Sequence, residues 1–295
     1  MKTYLPAFLF FALILQGCDK VKFPLEDTAG VGTSFSGDTL YSDSTYTQQR
    51  LLIEEFTGHR CSWCPAGAEK LKDLDQKFPG GLVLVGIHGS NYAIPNVKEG
   101  YPADYRTDAG NYIIDYRGVL DFPSAMFNRE GTGSQLRGFW DQTVHDFMGS
   151  DERENPKIQL ILRNIRNNPD DKNNLQVTAI ANEELTGAYD LVVYLTEDGI
   201  VSPQLDARLE IQGLDPNVYE YTHNHVLRTS VGPAPGNVFI EDGLASGERF
   251  AVSYDVLAKD RQTEWVTENL TFVAFVIERS SGLVVQAETV PFTKN

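Results

Sequence analysis

The stretch EEFTGHRCSWCPAGAEKL, residues 54–71, connects a short strand to a helix through a turn that holds two cysteines. The strand is LLIEEF, residues 51–56, which is short and rich in apolar residues. Apolar residues then recur at helical spacing, at Ala68, Leu71, Leu74 and Phe78. Residues 81–89, GLVLVGIHG, are a nearly continuous apolar run, typical of a strand buried on both faces. This order predicts a βαβ unit with parallel strands and a right-handed crossover.

The N-terminus predicts export. Lys2 precedes an apolar run over residues 4–15, which is too short for the ~20 apolar residues of a membrane-spanning helix, so residues 1–17 are interpreted as a signal peptide. Residues 15–18, LQGC, resemble the lipobox of bacterial lipoproteins, and this resemblance implies acylation of Cys18, for example with palmitate. The alternative is an ordinary signal peptide with an incidental cysteine, but no A-x-A-like cleavage site follows.

Lipidation at Cys18 leaves Cys61 and Cys64 as the only thiols of the mature chain, so any internal disulfide joins these two. The formal net charge of −16 argues against nucleic acid as a partner. Beyond the signal segment no apolar stretch approaches spanning length, so we expect membrane attachment through the N-terminal lipid.

Composition divides the remaining chain into three parts. Residues 18–48 are rich in Ser, Thr, Gly and Asp, which predicts a lipidated flexible tether. Three triplets in it, beginning at Asp27, Asp38 and Asp43, resemble acceptors of a bacterial envelope O-glycosylation system, although a plain solvated linker explains them equally well. The first predicted domain is 49–150, and it contains an insertion at 90–117 with a helix near 109–116.

Residues 155–295 contain seven runs of alternating apolar and polar residues separated by turn residues, which predicts an all-β sandwich domain. The sequence NNPDD, residues 167–171, is typical of a turn, and a Ca²⁺ site is a minor alternative.

The first domain resembles the thioredoxin family, because a C-x-x-C at a helix start is followed by DFPSAMFNREG, residues 121–131, a strand interrupted by proline. The resemblance implies an α/β thioredoxin-like fold, a cis proline at Pro123 facing the cysteines, and a buried proton-transferring acid at Glu55, with Glu54 as the competing candidate. The chain departs from thioredoxin in its Ser62-Trp63 dipeptide, so a redox potential does not transfer.

A cysteine at a helix N-terminus is favoured as thiolate by unpaired backbone N–H groups and by the helix dipole. Cys61, nearest that end, is the predicted nucleophile, assisted by Arg60 and a partly charged His59, and Cys64 is the predicted resolving cysteine. A passive disulfide is the main alternative. A zinc site would need a second pair of cysteine or histidine ligands, which the sequence does not offer. Haem attachment would need a histidine directly after Cys64, where Pro65 stands. No metal or cofactor is therefore predicted at the cysteine pair.

His223 and His225 lie at i, i+2, and on one face of a strand they could offer two nitrogens to a metal, although packing roles explain them more simply.

Together the lipobox, the tether, EEFTGHRCSWCP and HNHVLR are similar to the outer-membrane-protein-28-related lipoproteins. This resemblance implies a lipid-anchored outer-membrane protein, on either the periplasmic or the surface face. Two functions stay open. One is thiol–disulfide exchange with cysteine-containing envelope client proteins. This function requires a solvent-reachable Cys61 whose pKa is low. The other is binding or adhesion by a lipoprotein without catalytic activity. This function would require an exposed aromatic cluster, for which Tyr219, Tyr221 and Trp265 are candidates. The oligomeric state is not predicted.

Overall fold

A computed structural model describes residues 38–42, 47–167, 172–257 and 264–293. Within these ranges the strands are β1 Asp38–Tyr41, β2 Leu51–Thr57, β3 Leu82–His88, β4 Ser124–Phe127, β5 Gln135–Leu136, β6 Ile158–Asn167, β7 Lys172–Ala181, β8 Tyr189–Glu197, β9 Ile200–Leu205, β10 Asn217–His223, β11 Val226–Ser230, β12 Asn237–Ile240, β13 Arg249–Leu257, β14 Leu270–Glu278 and β15 Leu283–Pro291. The α-helices are α1 Cys64–Lys77, α2 Asp108–Arg117, α3 Trp140–Met148, α4 Asp151–Glu154 and α5 Ala207–Ile211. The fold is therefore β-rich, as predicted.

The largest sheet runs through both predicted domains, in the order β15-β14-β8-β11-β3-β2-β4-β5, with β12 also paired to β8. As predicted, β2 and β3 are parallel and α1 connects them; Glu55 lies opposite Gly86. β4 is antiparallel to β2. The C-terminal strands join through β11, where Val226 pairs in parallel with Gly86 and the Gly86 N–H donates to the His225 carbonyl at 2.7 Å. Alternation of apolar residues predicts the C-terminal strands but not this junction.

A second sheet has the order β1-β6-β7-β13. One apolar core contains residues of this sheet and of β8, β14 and β15, among them Leu162, Val177, Leu195 and Phe272. The strands β9 and β10 pair with each other as a separate two-stranded ribbon.

A second core combines residues of the two predicted domains. Phe56 of β2 and Ile87 of β3 cluster with Tyr194 of β8 and Phe275 of β14, and α2 covers them with Ile113. A third core lies under α1 and α3, where Leu71, Leu74, Trp140 and Val144 are buried. The cysteine turn and α1 are thereby fixed on a rigid sheet.

The predicted tether is wrong for residues 38–41. They form β1, antiparallel to β6, and pair Thr39 with Ile165. Their polar composition hides the strand, because β1 relies on backbone hydrogen bonds to an edge that the sequence alone does not reveal. The predicted signal peptide, Cys18, the triplets at Asp27 and Asp43, and residues 168–171 of the Ca²⁺ candidate lie outside the described residues. No helix within the described ranges has the length and apolarity needed to cross a membrane.

Candidate functional site

The two cysteines form a disulfide at the start of α1. The helix begins at Cys64, and Cys61 lies in the preceding turn, where its N–H donates to the Gly58 carbonyl at 2.9 Å. The sulfurs are 2.13 Å apart and the Cα atoms 5.3 Å apart. Cys61 is 2% exposed and Cys64 1%, whereas Trp63 between them is 45% exposed. The expectation of a solvent-reachable Cys61 is therefore wrong for this state of the molecule.

Pro123 and Glu55 both lie beside the first turn of α1. The Phe122–Pro123 peptide bond is cis, as the resemblance to thioredoxins implies. A Cβ built on Gly67 would lie 2.7 Å from Glu55 Oε1 and 3.0 Å from Pro123 Cβ. Because Gly67 is one turn after Cys64, the structure brings three of the predicted site residues, Cys64, Glu55 and Pro123, to one end of the helix.

Glu55 is buried, and one of its carboxyl oxygens lacks a hydrogen-bond partner among the described residues. Its exposure is 7%, and this oxygen is Oε1. Burial, which disfavours the charged form, raises the pKa of Glu55 to about 8, so the carboxyl is largely protonated at neutral pH. A neutral buried acid of this kind can give up or accept a proton within the site.

Glu54, the competing candidate, is neutralised by a partner. Arg129 donates from Nε and Nη2 to its two carboxylate oxygens at 2.8 and 2.7 Å. Arg129 also donates to the Tyr194 hydroxyl at 3.3 Å and lies 4.9 Å from the Phe275 ring centroid. Glu54 thus belongs to a buried structural ion pair, which leaves Glu55 as the acid beside the cysteines.

A cavity of about 530 Å³ opens beside the disulfide and is lined by both Cys64 and Glu55. Its floor includes Gly86 and His88 of β3, α1 forms one wall, and residues 221–225 form the opposite side. Gly86 lies close to the chain before β11, since a Cβ at this position would be 3.4 Å from the His225 carbonyl oxygen.

A cluster of buried histidines and tyrosines adjoins the cavity. The His88 ring centroid lies 5.0 Å from that of Tyr105 and 5.6 Å from that of His223, and His59 stacks on Tyr101 at 5.6 Å. Burial lowers the pKa of His59, places that of His88 well below its ordinary value, and lowers that of His223 to about 4. The expectation that a partly charged His59 activates Cys61 is therefore wrong, because desolvation keeps the imidazole neutral.

His223 and His225 do not share a strand face. β10 ends at His223, and His225 has a φ of 56°, which turns the chain before β11. His225 Nδ1 lies 3.2 Å from Asp198 Oδ1. Within the ranges that the structure covers, no group of three or more His, Cys, Asp or Glu side chains has the arrangement of a metal site.

The aromatic candidates for a binding surface do not form a cluster. Tyr219 is 61% exposed, whereas Tyr221 and Trp265 are only partly exposed. Tyr221 lies 4.8 Å from His223, and Trp265 lies under Arg228, whose guanidinium is 5.1 Å from the ring centroid.

Gln204 of β9 is a residue of the site that the sequence pattern does not indicate. Its Nε2 donates to the carbonyl oxygens of Cys61 at 3.0 Å and of Gly58 at 3.3 Å, across 143 and 146 residues of sequence. A single polar residue in an alternating strand gives no sign of such a contact.

Comparison with solved structures shows resemblance at low sequence identity. HBP35 of Porphyromonas gingivalis has a TM-score of 0.57 and 14% identity, over 82% of this chain and 74% of that chain. A protein of Agrobacterium tumefaciens has a TM-score of 0.48 and 14% identity, over 84% and 96% of the respective chains. A domain of the outer membrane lipoprotein Omp28 of Porphyromonas gingivalis has a TM-score of 0.29 and 20% identity, over 46% and 87%. At these identities only the likeness to HBP35 bears on the fold. No curated protein sequence matches the chain.

Family models give a direct assignment. The model described as "Outer membrane protein Omp28" matches residues 111–294, which is more than half of the chain and includes the strand after Pro123 and the whole C-terminal half. The chain therefore belongs to the Omp28 family.

Proposed function

We propose that this chain is a lipid-anchored envelope protein whose Cys61–Cys64 pair exchanges thiols and disulfides with cysteine-containing client proteins. In this proposal residues 49–150 form a thioredoxin-like domain, Cys61 and Cys64 are the redox pair, and Pro123 lies beside them. Membership of the Omp28 family supports an envelope location.

The observation that carries the proposal is the buried, largely protonated Glu55, whose Oε1 has no hydrogen-bond partner among the described residues, in the cavity that Cys64 also lines. A passive disulfide has no use for such a group, because burying an unpaired carboxyl costs stability. An exchanging disulfide has one, because the sulfur that leaves needs a proton.

The reaction proceeds by two displacements. A client thiolate attacks Cys61 Sγ, the Cys61–Cys64 bond breaks, and the Cys64 thiolate takes the Glu55 proton. A second client thiolate then attacks the client sulfur of the mixed disulfide, and Cys61 leaves as a thiolate. The client gains a disulfide, and Cys61 and Cys64 gain the two electrons; the reverse sequence reduces a client.

Trapping of mixed disulfides tests the proposal. In Cys64→Ser the reduced Cys61 attacks a client disulfide, and no second cysteine resolves the adduct, so we expect disulfide-linked partners on non-reducing gels of envelope fractions. Cys61→Ser is the matched control and should trap none. Equal yields of adducts from both variants, or none from either, would contradict exchange through Cys61.

Acylation at Cys18 is a separate part of the proposal. The intact protein should partition with membranes and carry the mass of its acyl chains. Cys18→Ser should lose both properties, and full membrane retention of that variant without loss of lipid mass would contradict the proposal.

The burial of both cysteines favours a second candidate, a binding or adhesion lipoprotein in which the disulfide is structural. In that case neither cysteine variant traps a partner, and reduction of the pair changes the stability of the chain without producing an exchange activity.

A further inference from the structure

The ribbon, residues 200–223 with β9, α5 and β10, lies against the turn that holds the disulfide. The Leu205 N–H donates to the His59 carbonyl at 2.9 Å, and the Ala207 N–H donates to the Ser62 carbonyl at 2.8 Å. Together with the two bonds from Gln204 to Gly58 and Cys61, these contacts occupy four successive or nearly successive backbone acceptors around Cys61.

Side chains reinforce the contact at both ends of the ribbon. Arg208 of α5 pairs with Glu69 of α1, and Asn217 of β10 accepts a hydrogen bond from the Tyr101 hydroxyl. His223 lies in the cavity wall with Tyr221. The ribbon thus supplies one side of the enclosure in which both cysteines are almost without solvent contact.

The ribbon is nevertheless separate from the sheets. β9 and β10 pair only with each other among the described strands, and they contribute no residue to the three apolar cores. Hydrogen bonds, the Arg208–Glu69 ion pair and the contacts of His223 with His88 and Tyr105 hold the ribbon in place. Because none of these contacts belongs to an apolar core, the ribbon can open while the cores stay intact.

We propose that the ribbon is a movable cover, and that the Cys61–Cys64 disulfide reacts with thiols only when the ribbon has separated from the 58–62 turn. This inference rests on the proposed function for its biological use. The opening itself is a property of the fold and is measurable with a small thiol reagent.

The test follows reduction of the disulfide by dithiothreitol in the purified protein, with alkylation of the new thiols and mass spectrometry as the readout. Each reaction oxidises one dithiothreitol to its cyclic disulfide and reduces Cys61–Cys64 to two thiols. Gln204→Ala removes the donor to Gly58 and Cys61, so we expect the rate to rise about tenfold, as the loss of one to two hydrogen bonds implies.

Gln212→Ala is the matched control. Gln212 is exposed on the same ribbon, and its side chain donates to the Arg208 carbonyl at 3.0 Å within the ribbon rather than to the cysteine turn. Its reduction rate should equal that of the unchanged protein. In the same samples, the amides of Leu205 and Ala207 should exchange with solvent deuterium faster in Gln204→Ala, whereas core amides of β2 and β3 should not.

Urea separates local opening from global unfolding. If the ribbon opens locally, the logarithm of the reduction rate should depend on urea much less steeply than the equilibrium unfolding constant does. An unchanged rate of disulfide reduction in Gln204→Ala, or a urea dependence equal to that of global unfolding, would contradict the proposal that the ribbon is a movable cover. Failure of Cys64→Ser to trap clients, with the Gln204 effect present, overturns the exchange function and leaves the cover standing.

Discussion

At the scale of single residues, Glu54 and Glu55 show how one step along a strand changes the chemistry of a carboxyl group. Successive side chains of β2 point to opposite faces of the sheet. Glu54 meets Arg129, and Glu55 faces the cavity beside Cys64 without a cation. The sequence contains the same residue twice, and only the position of distant partners distinguishes a structural ion pair from a protonated acid.

Replacement of the titratable Glu55 carboxyl should change how stability depends on pH. The carboxyl has an ordinary pKa of 4.5 and a folded-state pKa of about 8, so between these values the folded chain holds a proton that the unfolded chain releases. Stability from this group is present below pH 4.5 and is lost as pH rises to about 8. The unchanged protein should therefore lose this contribution to its free energy of unfolding between pH 4.5 and pH 8, whereas Glu55→Gln should not. The difference in free energy of unfolding between the two proteins should shift in favour of Glu55→Gln by on the order of a few kcal/mol over this range.

Urea unfolding at several pH values measures this difference, and the other titrating groups cancel because both proteins contain them. Parallel stability curves from pH 4.5 to 8 would show that Glu55 is ionised in the folded state. The same variant should exchange thiols more slowly at pH 7, since the glutamine amide has no acidic proton to transfer to a thiolate.

Loss of the Arg129 charge should destabilise the fold strongly. Arg129→Met leaves Glu54 buried without a cation, and we expect a loss of about 3–5 kcal/mol in the free energy of unfolding. Glu54→Gln in the same chain should recover much of it. The exposed pair of Arg106 and Asp104 is the control, where Arg106→Met should cost less than about 1 kcal/mol by the same urea measurement.

At the scale of elements, α1 depends on a glycine that helix propensity disfavours. Gly67→Ala would gain about 1 kcal/mol from propensity, but the new methyl group would lie 2.7 Å from Glu55 Oε1 and 3.0 Å from Pro123 Cβ. The steric cost of the methyl group should exceed the gain in helix propensity, so we expect a net loss of about 1–3 kcal/mol in the free energy of unfolding, measured by heat or urea. Gly138→Ala, at a position with no atom within 4 Å of the new Cβ, should be nearly neutral. A stabilised Gly67→Ala would mean that the contact relaxes easily.

The elements that the sequence predicts are those set by local patterns. Helical spacing after the cysteine turn predicts α1, the glycine-bounded apolar run predicts β3, and residues 109–116 predict most of α2. The cis bond before Pro123 is what the resemblance to thioredoxins implies. The ribbon contact and β1 are not predicted, because each depends on residues more than a hundred positions away, as in the Gln204–Cys61 bond. The neutral state of His59 is not predicted either, because its burial against Tyr101 and Tyr105 depends on how the 90–117 insertion folds back.

At the scale of the whole molecule, the second core joins the two predicted domains, and the free energy of unfolding should reflect this. Val273 of β14 is buried in that core together with Phe56 and Ile87. Val273→Ala should lower the free energy of unfolding by about 2 kcal/mol. The unfolding midpoint should shift by the same amount whether it is followed by far-UV circular dichroism or by tryptophan fluorescence, to which Trp140 of the third core contributes.

Exposed Val238→Ala is the control and should change the free energy of unfolding by less than about 0.5 kcal/mol. If the fluorescence transition stays in place while the dichroism transition moves, the halves unfold separately despite their shared core.

The distance along the chain between the cysteines and their cover has a consequence for biogenesis. Gln204 follows Cys61 by 143 residues. A chain that emerges N-terminus first at ~5–20 residues per second presents the cysteine pair roughly 7–30 s before the ribbon exists. If the proposed export takes place while the chain is synthesised, the pair is uncovered in the envelope during that interval. An oxidant that meets the chain during export would therefore form the disulfide before the ribbon covers it.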